Sequence, residues 1–304
     1  MRATPFVIAL ALSLEFIPTA RAGWLAYAME TRLLEADMVA VGTVGKVKST
    51  FKRGRDYALA EMQIEDVLKG DKDAKTVDVA FAAKSLIESD QVYKAGTHGL
   101  WLMRLDCGGE FYWIDQPLDL QEMADKDKLA ESLEHLQELE WGPETNGVQL
   151  MVRGQSVPDT DRDMVPSKKQ LRGPLLPALQ VFMKNSGDHP IYVCDYAGDK
   201  PIKIACACDG RPEPVNMYAE TWHKPINQGN FICIRPGQVK PVGGAGGAYR
   251  MQRFSEPGAY ELTATYTAAR DGKIYKLDNV WTGQVTSNTM KLNYSVKLAQ
   301  PAKE

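Results

Sequence analysis

Apolar and β-branched residues gather in short runs through the first half of the chain: Met38-Val39-Ala40-Val41-Gly42-Thr43-Val44, Tyr57-Ala58-Leu59-Ala60-Glu61-Met62-Gln63-Ile64 and Thr76-Val77-Asp78-Val79-Ala80-Phe81. The last alternates with period two, and all three predict strands, because successive side chains of an extended chain point to opposite faces. Leu100-Trp101-Leu102-Met103-Arg104-Leu105 and Glu110-Phe111-Tyr112-Trp113-Ile114 flank Asp106-Cys107-Gly108-Gly109. That Gly-containing connection predicts a hairpin and a fifth strand. From Asp127 onward the period changes to a helical one. Leu129, Leu133, Leu136 and Leu139 share a face, Glu131, Glu134, Glu138 and Glu140 lie off it, and Gly142-Pro143 ends it.

The second half carries only β patterns. Val148-Gln149-Leu150-Met151-Val152, Ala178 to Met183, Pro190 to Cys194, Asn230 to Ile234 and Met290 to Val296 are short candidates separated by Pro, Gly, Asn and Asp. Tyr260 to Ala268 and Lys273 to Leu277 enclose Asp271-Gly272, which predicts a tight hairpin because glycine tolerates the positive φ of a primed turn. The expected fold class is mainly β.

The chain has 304 residues, 44% hydrophobic and 25% charged, which excludes collagen, coiled coil and wholesale disorder. At roughly 150 residues per domain it accommodates two. Arg2, the apolar run Phe6 to Leu14, Pro18 and the triplet Ala20-Arg21-Ala22 have the layout of a secretory signal peptide over residues 1-22. That implies a mature chain beginning at Gly23, exported to the periplasm or the extracellular space, with no membrane span. Residues 23–145 carry 14 basic and 24 acidic side chains, and residues 146–304 carry 20 basic and 14 acidic. The opposed charge supports a boundary near Gly142-Pro143 and favours docking of one half on the other. The resulting net charge of −4 over residues 23–304 offers no general attraction to nucleic acid.

Ala36-Asp37-Met38-Val39-Ala40-Val41-Gly42-Thr43-Val44, Ile64-Glu65-Asp66-Val67-Leu68-Lys69-Gly70-Asp71 and Ala95-Gly96-Thr97-His98-Gly99-Leu100-Trp101-Leu102 together resemble the OB-fold barrel of netrin-like and tissue-inhibitor-of-metalloproteinase-like domains. The resemblance covers roughly residues 30 to 120 and implies an OB-like five-stranded barrel, which with the C-terminal amphipathic helix read above makes a domain of residues 23-145. Inhibitors of that family chelate a protease's zinc through an N-terminal cysteine, and Gly23 stands at that place here. Phe254 to Leu262 and Trp281 to Asn288 resemble the late strands of immunoglobulin-like modules of bacterial secreted proteins. That implies an immunoglobulin-like β-sandwich over residues 146-304.

Four of the five cysteines, Cys194, Cys206, Cys208 and Cys233, fall in the second half. In an oxidising compartment they are disulfide candidates, with Cys206 and Cys208 too close to pair and each seeking Cys194 or Cys233. Buried thiols, or a metal site formed with Cys194, Cys233 or His223, are the alternatives, since residues two apart on a strand share a face. Cys107 is left over, either exposed in its turn and paired between chains or buried against the barrel. Asp159, Asp161 and Asp163 begin like a calcium loop, but Met164 and Gln170 replace its glycine and glutamate. Ser49-Thr50-Phe51-Lys52 and Gly243 to Gly247 match fragments of catalytic and phosphate-binding motifs without their companions. No stretch assembles a nucleophile, base and orienting acid. The expected function is therefore a non-enzymatic binding or inhibitor-like protein, without cofactor, whose partner is an envelope or extracellular protein or glycan. Trp24, Trp222 and Trp281 are candidate contacts. The alternative is a metal-binding protein or metal-dependent enzyme built on Cys206 and Cys208.

Overall fold

The computed structural model describes residues 22–84, 92–116, 118–154, 179–195, 201–213, 227–243, 248–249, 258–268 and 270–294. Helix α1 (Ala22–Glu35) leads into β1 (Met38–Arg53), which turns at Gly54 into β2 (Arg55–Lys69). β3 (Thr76–Ala82), β4 (His98–Leu105), β5 (Tyr112–Trp113), β6 (Leu120–Gln121) and α2 (Lys126–Gln137) complete the first half. Antiparallel pairing links β1 to β2, β2 to β3, β5 to β4 and β4 back to β1, while β3 and β5 run parallel. The sheet therefore closes on itself as a ring of strands.

The apolar run at the start of β1 is continuous because both of its faces are covered. Met38 and Ala40 point into the ring with Met62, Phe81, Trp101 and Met103. Val39 and Val41 point outward with Leu100 and Leu102, under Leu33 of α1 and under Leu129 and Leu133 of α2. β4 obeys the same alternation with the parity shifted by one, as antiparallel pairing of Ala40 with Trp101 requires. Trp101 is fully buried, and its indole N–H donates to the Gly42 carbonyl at 2.9 Å. α2 begins where the helical period does, with Leu129 and Leu133 buried and Glu131 and Glu134 exposed, but it ends at Gln137, short of Gly142-Pro143, and Leu139 packs beyond it with Trp141 in the cluster of Leu34, Met151 and Phe182.

The second half contains β7 (Val148–Gly154), β8 (Leu179–Asn185), β9 (Ile191–Cys194), β10 (Ile202–Cys208), β11 (Arg211–Glu213), β12 (Phe231–Ile234), β13 (Val239–Pro241), β14 (Ala248–Tyr249), β15 (Gly258–Ala268), β16 (Gly283–Thr286) and β17 (Met290–Tyr294). β8 pairs with β7, β13 and β14; β15 pairs with β10, β16 and β17; β9 pairs with β12. Their inner faces share one core, in which Leu150, Val181 and Met183 meet Tyr260, Leu262, Ala264 and Tyr266. The tight hairpin expected at Asp271-Gly272 is not formed. Gly272 does adopt positive φ, at 69°, but it starts a single helical turn, Lys273–Tyr275, and β15 pairs with β16 beyond it.

The two halves meet along α1. Leu33 packs toward the ring, whereas Leu34, the next residue, packs with Met151 and Phe182 of the second half. β8 repeats the device seen in β1: its odd-numbered residues enter the second-half core while Phe182 joins this seam and Gln180 bonds to Thr31 of α1. Among the described residues, no helix is long and apolar enough to cross a membrane.

Candidate functional site

The turn between β4 and β5 touches β12 and the segment that follows it, and a disulfide joins Cys107 to Cys233 of β12, across 126 residues of sequence and 6.0 Å between Cα atoms. Arg235 donates from Nη1 to the Cys107 carbonyl at 2.9 Å. Its guanidinium occupies the space that a Cβ on Gly109 would need, and Gly109 sits at φ +76°, so glycine is required twice over. Buried Gln238 donates from Nε2 to Asp37 Oδ2 at 2.8 Å, and the same oxygen accepts the Leu105 N–H at 2.6 Å. Arg153 and Glu30 form an ion pair farther along the seam. The two halves thus meet through this ion pair and through specific hydrogen bonds.

Beside the disulfide lies a shallow open cleft of about 370 Å³, walled by Arg53 at the end of β1, Tyr57 of β2, Arg104 of β4, Trp113 of β5, and Gln238 and Lys240 from the second half, with Asp106 and Asp115 between them. The ring strands present their outer ends here, which gathers aromatic side chains. Trp113 lies 4.8 Å from Tyr57, 5.0 Å from Phe111 and 6.0 Å from Phe51, centroid to centroid. Arg53 sits 5.7 Å above the Trp113 ring and reaches Asp106 Oδ1 at 2.7 Å, and the Trp113 indole donates to that same oxygen at 3.2 Å. Arg104 holds Asp115 at 2.6 Å and the fully buried Asp119 at 3.2 Å.

Burial alone would raise the Asp106 carboxyl, but donation from the Gly108 N–H, Arg53 and Trp113 outweighs it and holds the group below its ordinary value. Burial raises Asp119 against the pull of Arg104, and raises Asp37 against Lys240 and its two hydrogen bonds. Lys240 and Lys69 move the other way, lowered chiefly by burial. Asp37, Lys69 and Lys240 therefore form a group of coupled charges, of which Lys240 lines the cleft, with the acid pushed up and the bases pushed down. Asp119 Oδ1 and Arg104 Nε are buried without a hydrogen-bond partner.

The cysteine pairing differs from the expected one. Cys233 is joined to Cys107, and Cys194, Cys206 and Cys208 are buried thiols. Cys107 is thus neither an exposed turn residue nor a link between chains. Its partner lies across the seam, where pairing within the second half cannot reach. The oxidised Cys233 sulfur is no thiolate, which removes it from a metal site. Cys206 and Cys208 share a face of β10 as strand geometry requires, and that face is the second-half core. Burial pushes the Cys206 thiol up to about 11, with Glu213 and Cys208 adding to the effect. Among the described residues no three His, Cys, Asp or Glu side chains are grouped to hold a metal ion. His223, Asp159, Asp161, Asp163, Trp222 and the Trp24 side chain lie outside the described residues. Trp281 is buried, its indole donating to the Asn146 carbonyl at 3.2 Å, so it is core and not a contact.

Sequence reasoning missed Arg53, Arg104, Trp113, Asp37 and Lys240 as one site. One local sign was present: Arg104 interrupts the otherwise apolar run Leu100 to Leu105, and a charge inside a buried strand needs a partner. No protein-family model matches the chain, and no curated protein matches it.

Proposed function

We propose that this chain is an exported, non-catalytic binding protein of the cell envelope or extracellular space, and that the cleft at the seam is its recognition surface for a protein partner. The observation that carries this reading is the cleft itself. Its wall combines Trp, Tyr and Arg side chains, the residue types that dominate binding energy at protein interfaces, and a disulfide and a buried hydrogen-bond network fix its two sides. A pre-set surface loses less ordering entropy on binding than a flexible one. The carboxylates of the cleft are spent on holding its own arginines, which suits a scaffold better than an acid or base in turnover.

The closed strand ring supports an OB-like first half, and sheets packed on one core support an immunoglobulin-like second half. A disulfide that ties residues 126 apart agrees with the export read from the N-terminal sequence, since such bonds persist in oxidising compartments. The test is chemical crosslinking and capture from the native envelope fraction, using the chain and a Phe51→Ala/Arg53→Ala variant. Arg53 is 61% exposed, but both side chains pack on Trp113, so the variant is expected to fold with a modestly lowered unfolding midpoint and to lose the captured partner. Capture that survives both substitutions contradicts the reading.

A further inference from the structure

We infer that the cleft seats a carboxylate, supplied by an acidic side chain of the partner protein, on the ammonium of Lys240. This rests on reading the cleft as the recognition surface and specifies what it recognises. Lys240 lies on β13, lines the cleft, and is largely withdrawn from water. Every other charge around it already has a companion. Asp106 is held by Arg53 at 2.7 Å, Asp115 and Asp119 by Arg104, and Glu35 by Arg32 at 3.0 Å. Asp37 accepts two hydrogen bonds and lies in the field of Lys240 and, more weakly, of Lys69, without an ion pair to either. Among the described residues, Lys240 Nζ has no carboxylate within the 4.0 Å of an ion pair.

The groups facing that ammonium are Glu35 and Asp37, which favour its charge, and Arg104, Arg32 and Lys69, which oppose it. A desolvated cation in this balance gains most from one added anion, because a charge-assisted hydrogen bond is roughly twice as strong as a neutral one. Among the described residues lining the cleft, Arg53 and Arg104 are in close ion pairs and Lys240 is not, so a carboxylate arriving at Lys240 displaces no existing pair. A peptide fits better than a free small acid. The cleft is open, and its rim continues into the half-exposed rings of Phe51, Phe111 and Trp113 beside Arg53. That rim offers apolar area to the residue next to the acid.

The test titrates the full chain, disulfide intact, at pH 7 with N-acetyl-Phe-Glu-amide, its Phe-Gln counterpart and glucuronate, following the Trp113 indole N–H by NMR, assigned with Trp113→Phe. The Glu peptide is expected to shift that signal and to bind at least tenfold more tightly than the Gln peptide. Lys240→Gln should erase the preference and Lys240→Arg should retain it, with unfolding midpoints reporting that both variants fold. Equal binding of the Glu and Gln peptides overturns the carboxylate inference while leaving the cleft as the recognition surface. Tighter binding of glucuronate than of the Glu peptide overturns the choice of a protein partner. If Trp113 responds to no probe, the inference fails, and the capture experiment with Phe51→Ala/Arg53→Ala decides separately whether the surface itself stands.

Discussion

Lys240 and Asp37 show how a fold can hold charges that water would otherwise keep. Each is penalised by burial, in opposite senses, and the sign of each effect on stability differs. The folded-state pKa of Asp37 is raised above 3.8, so its contribution is fully favourable below that value and is lost as pH rises through the folded pKa. Asp37→Asn is therefore expected to gain stability relative to the natural chain between pH 4 and neutrality, read by urea unfolding at stepped pH. A natural chain that gains on the variant over that interval contradicts the assignment. Lys69 and Lys240 are lowered from 10.5; their contribution is full above that value and is lost as pH falls. Cys206, raised from 9.0 to about 11, should alkylate about a hundredfold more slowly at pH 8 in the folded chain than after denaturation, since only the thiolate attacks. Equal rates would place that thiol at the surface.

At the scale of elements, the alternation in β1 and β4 was readable because each residue's face is decided by its immediate neighbours. The apolar pattern also located α2 within a residue of its start. α1 was not read at all. Its neighbours Leu33 and Leu34 serve two different cores, so no single apolar stripe marks it as a surface helix would be marked. Asp271-Gly272 misled for the opposite reason: the positive φ was correctly expected, but it also suits the start of a helical turn, and only the pairing of β15 with β16 decides. Two substitutions test the seam. Leu34→Ala, in the cluster with Met151 and Phe182, should cost about 3 kcal/mol in denaturant unfolding. Gly142→Ala would drive a Cβ into the backbone of Thr286 and Ser287 and should cost about 1 to 3 kcal/mol, as overpacking does. Losses below about 0.5 kcal/mol at both sites would mean that the halves do not pack here.

For the whole molecule, the site was the least legible part. Arg53, Arg104, Trp113, Lys240 and the disulfide come from residues spread over nearly two hundred positions, and only the closed ring and the α1 wedge bring them to one place. Counting cysteines by half suggested pairs within the second half, because four of five lie there; the odd one turned out to join the halves. Such a long closure constrains the unfolded chain strongly, so a Cys107→Ser/Cys233→Ser double variant should lose about 2 to 4 kcal/mol of stability. The same variant should also loosen the cleft.

The covalent link between the halves underlies both the cleft and its proposed ligand, and mass spectrometry of a non-reducing digest tests it most directly. The expected result is one crosslinked peptide pair containing Cys107 and Cys233, with Cys194, Cys206 and Cys208 recovered as thiols. Recovery of Cys107 as a thiol, with Cys233 bonded to Cys206 or Cys208, would contradict the account.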